Sequence, residues 1–359
     1  MKIKKLAVLL TAAALTASAV AGCSGTKETE AVASGAGTGT AAETTAGTTS
    51  AETTAAENTA EESDKEEAAD AMAQEDEENY DTGDASKDNT RNQDGIGEDE
   101  LLVVSFGTSY NDNRRLTVGA IEDAMEKAFP DYSVRRGFTS QIIIDHVKSR
   151  DNVAIDNVGE ALERAEKNGV RNLVIQPTHL MDGLEYTDLV NEVAEYSDAF
   201  DQVAVSQPLL TSEDDFKAVI KVITEATAQY DDGETAICFM GHGTEAESNQ
   251  VYSKMQEMLT EAGYKNYYVG TVEAAPSLDD VLAMVQAGDY KRVVLEPLMI
   301  VAGDHANNDM AGDEEDSWKT TFENAGYEVT CLVRGLGEME GIQQIFVEHA
   351  RAAVDSLAK

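Results

Sequence analysis

Cysteine is scarce in this chain: three residues in 359, at positions 23, 238 and 331. They show no spacing typical of a zinc or iron–sulfur site, which argues against a thiolate metal centre. Cys238 and Cys331 fall inside predicted strands and are expected as buried free thiols, with a bridge between them left open by an oxidising compartment. Basic residues are also few, 27 against 68 acidic ones, for a formal net charge of −41. That balance argues against nucleic acid and against an anionic lipid surface as partners. Large apolar residues are nearly missing from residues 24–99, where Ala, Gly, Thr, Ser, Glu and Asp dominate. Such a stretch cannot bury enough surface to offset its ordering entropy, so a disordered acidic tether is expected there. A chain truncated near Gly97 is then expected to fold as well as the whole.

The apolar run at the amino terminus, residues 6–21, is short for a membrane span. Lys2, Lys4 and Lys5 precede it, and it closes on Val20-Ala21-Gly22-Cys23. This is the pattern of a secretory signal peptide, and its end resembles the lipobox of bacterial lipoproteins. Cys23 is therefore expected to carry lipid, anchoring an extracytoplasmic protein. The expected organisation is a signal peptide at 1–22, a tether at 23–99, and two α/β halves at 100–230 and 231–359.

Strand-like runs near 101–105, 133–136, 172–176 and 202–206 form one set, and 235–240, 267–270, 292–297 and 328–333 a second. Amphipathic helical stretches fit between them at 113–128, 158–168, 184–196, 213–229, 246–262 and 278–286, with a closing helix over 339–357. Alternation of this kind predicts βαβ units and parallel sheets. The two sets also match each other. Phe106-Gly107-Thr108 matches Met240-Gly241-His242, and Arg136-Gly137-Phe138 matches Val269-Gly270-Thr271. Val174-Ile175-Gln176-Pro177, with Gly183 and Glu185, matches Val294-Leu295-Glu296-Pro297, with Gly303 and His305. The expected fold class is α/β, with two similar Rossmann-like halves whose parallel sheets face across a cleft.

Two of only five histidines, His242 and His305, follow apolar runs that end in glycine, where open α/β sheets place their ligand crevice. By the internal match, Thr108 stands where the second half has His242, Ser140 where it has Glu273, and Glu185 where it has His305. Two imidazoles and a carboxylate suit a divalent first-row ion such as cobalt, nickel, iron or zinc. They also suit proton removal near neutral pH. Asp304, Asp309, Asp313, Glu314, Glu315 and Asp316 form an acidic loop beside His305, with Asp316 or Ser317 expected to cap the next helix.

Several segments closely resemble the anaerobic sirohydrochlorin cobalt chelatases of the CbiK family. They are Leu102-Val103-Val104-Ser105-Phe106-Gly107-Thr108-Ser109, Phe239-Met240-Gly241-His242-Gly243 and Pro297-Leu298-Met299-Ile300-Val301-Ala302-Gly303-Asp304-His305-Ala306. Gly183-Leu184-Glu185-Tyr186, Val272-Glu273-Ala274-Ala275-Pro276, Asn308-Asp309-Met310 and Asp316-Ser317-Trp318-Lys319 fit as well. The resemblance runs from about Leu101 to the carboxyl terminus and leaves the leader and tether outside. It implies a class II chelatase fold related to ferrochelatase, with no nucleotide required and Co²⁺ inserted into sirohydrochlorin on the way to cobalamin. It also implies His242, Glu273 and His305 as the metal site, His242 as proton acceptor and Glu185 as a further acid in the cleft. Ser105, Thr108, Ser109 and Thr139 are expected to meet the carboxylates of the tetrapyrrole. A homo-oligomer is compatible with the sequence. The exported leader supports a second reading: a lipoprotein that binds haem, another tetrapyrrole or a divalent metal without turnover.

Overall fold

The computed structural model describes residues 82–357 together with one two-residue strand, β1 (Ala7–Val8). The predicted signal peptide and the lipidation site at Cys23 otherwise lie outside the described residues. The first sheet comprises β1, β2 (Asp99–Ser105), β3 (Ser133–Phe138), β4 (Asn172–Pro177) and β5 (Gln202–Val205), in the order β1-β5-β4-β2-β3. The second comprises β6 (Thr235–Gly241), β7 (Tyr267–Thr271), β8 (Arg292–Pro297) and β9 (Glu328–Cys331), in the order β7-β6-β8-β9. All pairings are parallel, as the strand–helix alternation predicts. Helices cover both faces of such sheets, which is why Leu101, Leu102, Val103 and Val104 are all fully buried along one continuous apolar run.

The two sheets repeat one plan, since β3-β2-β4-β5 is reproduced by β7-β6-β8-β9. Their pairing registers correct one expected equivalence. Val104 lies opposite both Gly137 and Pro177, and Met240 lies opposite both Gly270 and Pro297. Ser105 is thus the counterpart of Gly241, and Phe106, not Thr108, is the counterpart of His242. A short glycine match in sequence slid by two residues; backbone hydrogen bonds on both flanks fix the true alignment. The other equivalences stand: Ser140 N donates to Phe106 O and Glu273 N to His242 O, so Ser140 and Glu273 correspond.

The helices are α1 (Asn111–Leu116), α2 (Val118–Ala128), α3 (Gln141–Asp151), α4 (Val158–Asn168), α5 (Leu184–Tyr196), α6 (Glu213–Thr227), α7 (Gln250–Glu261), α8 (Leu278–Gln286), α9 (Trp318–Asn324) and α10 (Glu340–Leu357). Capping boxes start α4 (Asn157 with Glu160), α6 (Ser212 with Asp215) and α8 (Ser277 with Asp280), which makes their first residues legible in the sequence. Ser317, not Asp316, caps α9 by accepting from Thr320 N. The helix expected over 113–128 is broken at Thr117, whose hydroxyl donates to Asn113 O.

Two expected boundaries shift. Helix α10, placed by sequence in the second half, packs on α2, α6, β4 and β5 of the first. Its Ile342, Phe346 and Ala350 belong to a core that also contains Leu101 and Val103 from the first sheet and Ile237 and Phe239 from the second. The halves therefore share one core. The tether was expected to reach residue 99, but residues 82–98 are bound to the first half. Asp88 meets buried Arg114 and Arg136, Arg91 meets Glu122, Asn92 donates to Ala154 O, and Arg171 reaches Glu98. Composition hid this strap because its attachment is by charge and hydrogen bond, with Ile96 packing as its apolar contact. Cys238 is buried and Cys331 half-buried, and both are free thiols.

Candidate metal centre

Three strand ends of the second half build the centre. His242 follows β6 and Glu273 follows β7, and the two loops are tied because Val272 N and Glu273 N both donate to His242 O. Gly243 makes this approach possible. Its φ is +95°, and a Cβ there would lie 2.8 Å from Ala274 N, so an L side chain would be strained and would force the loops apart. Asn249 adds a second tie, accepting from Thr244 N and donating to Ala275 O. His242 Nδ1 donates to Gly243 O at 2.8 Å, which leaves Nε2 with its lone pair. Glu273 Oε2 lies 3.5 Å from Nδ1 of His242.

His305 enters from the loop after β8, just before a turn of π-helix over Ala306–Met310. That turn sets Asp309 beneath the imidazole, and His305 Nδ1 donates to Asp309 Oδ2 at 2.7 Å. The hydrogen bond holds the ring through Nδ1 and leaves Nε2 as the nitrogen free for an ion, the usual carboxylate support of a metal-binding histidine. Burial alone would lower the pKa of His305, but the Asp309 carboxylate, with Asp304 and Glu273 behind it, raises it above the ordinary 6.5. The rings of His242 and His305 meet edge to face with centroids 4.7 Å apart. One ligand atom from each of His242, Glu273 and His305 falls within a common span of 4.8 Å. The three groups expected from the sequence therefore converge on one ion-sized point, half-exposed toward solvent.

Asp309 stood out in the sequence as one of six acidic residues and as part of a segment resembling the family, with no role of its own. Its signal was the spacing: four residues after His305 on a helical turn is one face. The other acids do different work. Asp304 accepts from Asn308, Asp313 pairs with Lys319, and Glu314, Glu315 and Asp316 are exposed.

The first half closes the site from the other side. A Cβ at Gly303 would lie 3.2 Å from Thr108 Oγ1, a Cβ at Gly183 would lie 3.4 Å from Ser248 Oγ, and Ala302 N donates to Asn113 Oδ1. Glu185 sits in the first turn of α5, half-exposed and outside the three-ligand group. Behind it lies His179, buried, with Nε2 3.3 Å from Glu185 Oε2 but neither ring nitrogen in a hydrogen bond. Of the four residues expected to meet the carboxylates of the substrate, two have deeply buried hydroxyls. Ser105 is 1% exposed and accepts from Thr178 Oγ1, and Thr108 is 3% exposed and accepts from Tyr110 N. Their hydroxyls shape the loop from inside it. Ser109 is also buried, with its carbonyl accepting from Arg150, while Thr139 is half-buried with its hydroxyl unpartnered.

The sequence profile of the family described as "Cobalt chelatase (CbiK)" matches residues 99–355. The chain belongs to that family. A sirohydrochlorin cobaltochelatase of Salmonella typhimurium is 36% identical over 255 residues, covering 71% of this chain and 96% of that protein. The sirohydrochlorin cobaltochelatase CbiKC of Nitratidesulfovibrio vulgaris is 30% identical over 259 residues, covering 72% and 91%. Among solved structures, SirB from Bacillus subtilis with Fe³⁺ superposes with a TM-score of 0.53 at 13% identity, covering 73% of this chain and 98% of its own. This last likeness concerns the fold. The strap at residues 82–98 precedes the part that the family profile matches.

Proposed function

We propose that this protein is a chelatase that inserts Co²⁺ into sirohydrochlorin. The observation that carries the reading is the convergence of His242, Glu273 and His305 on one point in a chain of the CbiK family. Metallation requires that two pyrrole N–H protons leave as the ion enters. His242 and His305 present Nε2 lone pairs to the ion, and Glu273 supplies a negative charge. As the ion moves to the ring nitrogens, the lone pair it vacates on His242 becomes the acceptor for a pyrrole proton. Glu273, 3.5 Å from that ring, offsets the imidazolium that results. Glu185, on the opposite half, takes the second proton. Few ligands, each exchangeable, hold an ion that must be handed on. Ni²⁺ and Fe²⁺ suit the same donors, so the choice of metal rests on the supply and on the substrate.

The leader, with its terminal Val20-Ala21-Gly22-Cys23, supports an extracytoplasmic enzyme held to the membrane by lipid on Cys23. The test is a metallation assay with metal-free sirohydrochlorin and Co²⁺, followed by absorbance. Turnover well beyond one equivalent is expected, and it should vanish in His242→Ala and His305→Ala while both variants keep the wild-type circular dichroism spectrum. A change that stops at one equivalent in the wild type would replace the chelatase with a binding protein. Full activity in both variants would remove the metal site.

A further inference from the structure

The three groups of the metal centre are not held in the same way. His242 and Glu273 are tied to each other, since Val272 N and Glu273 N both donate to His242 O. The loop over residues 298–304, which leads to His305, takes its ties elsewhere. Leu298 N donates to Met240 O where the loop leaves β8, and Leu336 N and Gly337 N donate to Met299 O and Ile300 O within it. A further tie crosses to the first half: Ala302 N donates to Asn113 Oδ1 at 2.9 Å. Ala302 is buried, so its amide needs a partner inside the protein.

Asn113 belongs to α1, and α1 is fixed by contacts of its own. A helix of six residues has no stability in water by itself. Here Arg114, fully buried, donates to Asp88 and to Thr108 O, Asn111 donates to Asp151, and Asp112 N donates to Thr82 O in the strap. The same segment meets the His305 loop at two more places. A Cβ at Gly303 would lie 3.2 Å from Thr108 Oγ1. A Cβ at Gly335 would lie 2.8 Å both from Thr117 Cγ2 and from Val301 Cα, so only a glycine lets the two come this close to the turn. Thr117 is fully buried, and the helix expected over 113–128 breaks there. The break therefore falls where the first half meets the His305 loop.

We propose that α1 positions the His305 side of the metal centre, with Asn113 as the positioning residue. This rests on the metal centre of the chelatase reading above and not on turnover. A three-ligand site needs each donor held to within about 0.5 Å of its place. His305 has its carboxylate support from Asp309, on its own helical turn. That support orients the ring but moves with the loop. Asn113 supplies what it lacks, a fixed point on the opposite half. Without Asn113 Oδ1 a buried N–H is left with no acceptor, and the loop shifts to bring that group to water. Both halves are thereby needed to complete a metal centre whose ligands all come from one.

The test is calorimetric titration of Co²⁺ into the full-length protein, with His305→Ala as the blank for cobalt taken up elsewhere. The d–d absorption of the bound ion reports its geometry. Asn113→Ala should weaken cobalt binding about tenfold and alter that absorption, with the wild-type circular dichroism spectrum retained. Asn113→Asp keeps the acceptor and should bind within about threefold of wild type. Gly303→Ala sets a methyl group against Thr108 Oγ1 and should weaken binding about threefold, and Thr108→Ala in the same chain should recover it. A folded Asn113→Ala variant within about twofold of wild type overturns the proposal, as does Asn113→Asp binding no better than Asn113→Ala. If Asn113→Ala does not fold, the Gly303 pair decides: no loss, or no recovery, overturns it as well. A wild type that binds cobalt without metallating sirohydrochlorin loses the chelatase reading and keeps this role for Asn113. A wild type that binds no cobalt beyond the blank loses both.

Discussion

Asp88 lies in the strap ahead of the first central strand, and its carboxylate is 2% exposed. It accepts from Arg114 Nε at 2.7 Å and from both terminal nitrogens of Arg136, at 2.7 and 3.1 Å. Both arginine side chains are fully buried, so Asp88→Asn removes a charge that two guanidinium groups share. Breaking a buried pair by deleting one partner costs about 3–5 kcal/mol. Arg136 keeps Glu122, and Arg114 keeps its hydrogen bonds to Asn111 and to Thr108 O, which sets the expectation at the lower end of that range. For a domain of this size, about 2–4 °C of melting temperature is lost per kcal/mol, so a fall of roughly 6–12 °C is expected. A chain starting at Asp99 should fall further, since it also loses the contact of Arg91 with buried Glu122. The pH dependence carries a sign. Burial pushes the Asp88 carboxyl up, but Arg136 and Arg114 outweigh it and hold the pKa below 3.8. Its contribution is therefore present above the unfolded-state value and lost as pH falls through the lower folded one, so the gap between wild type and Asp88→Asn should close below about pH 4. Calorimetric melts of the wild-type chain, Asp88→Asn and the truncated chain decide the matter. Melting temperatures within 2 °C of one another would mean that the strap contributes nothing and that the tether does reach residue 99.

Asp309→Asn keeps a hydrogen-bond acceptor for His305 but removes its charge, and cobalt affinity should drop by about 10–100-fold in a calorimetric titration. Because the pKa of His305 is raised in the folded protein, its contribution to stability is complete below 6.5 and disappears as pH rises through the folded value. Cobalt, which needs the neutral ring, should bind more tightly over that same rise, and in Asp309→Asn the rise should move to lower pH. Glu273→Gln should weaken cobalt binding more than tetrapyrrole binding, whereas Glu185→Gln should slow metallation and spare cobalt affinity; equal loss of affinity in both would make Glu185 a metal ligand. His179→Asn, behind Glu185, should slow turnover several-fold with cobalt affinity unchanged, and an unaltered rate would leave His179 without a part in the reaction.

The amino-acid sequence by itself located most of the strands and helices and singled out the three residues that converge at the candidate site. Apolar runs closed by glycine located the strands, amphipathic stretches between them located the helices, and the alternation of the two predicted parallel sheets. His242, Glu273 and His305 were legible because strand ends are where such sheets expose side chains, and because the internal match showed two imidazoles and a carboxylate in the second half where the first has one acid. Tertiary structure decided what depends on register, burial and charge pairing across distance. Only the hydrogen-bonded ladders show that Phe106, two residues from the sequence match, is the counterpart of His242. Only packing shows that α10 returns to the first half, since an amphipathic helix carries no record of which sheet its apolar face will meet. The strap at residues 82–98 is polar and carries no strand or helix pattern in its sequence; Asp88 becomes structural because Arg114 and Arg136, distant in sequence, are both buried against its carboxylate. The Ser105 and Thr108 hydroxyls, equally plausible as ligands on paper, are buried at the end of β2 and in the loop after it, since which way a polar side chain turns at a strand end is settled by its neighbours in space.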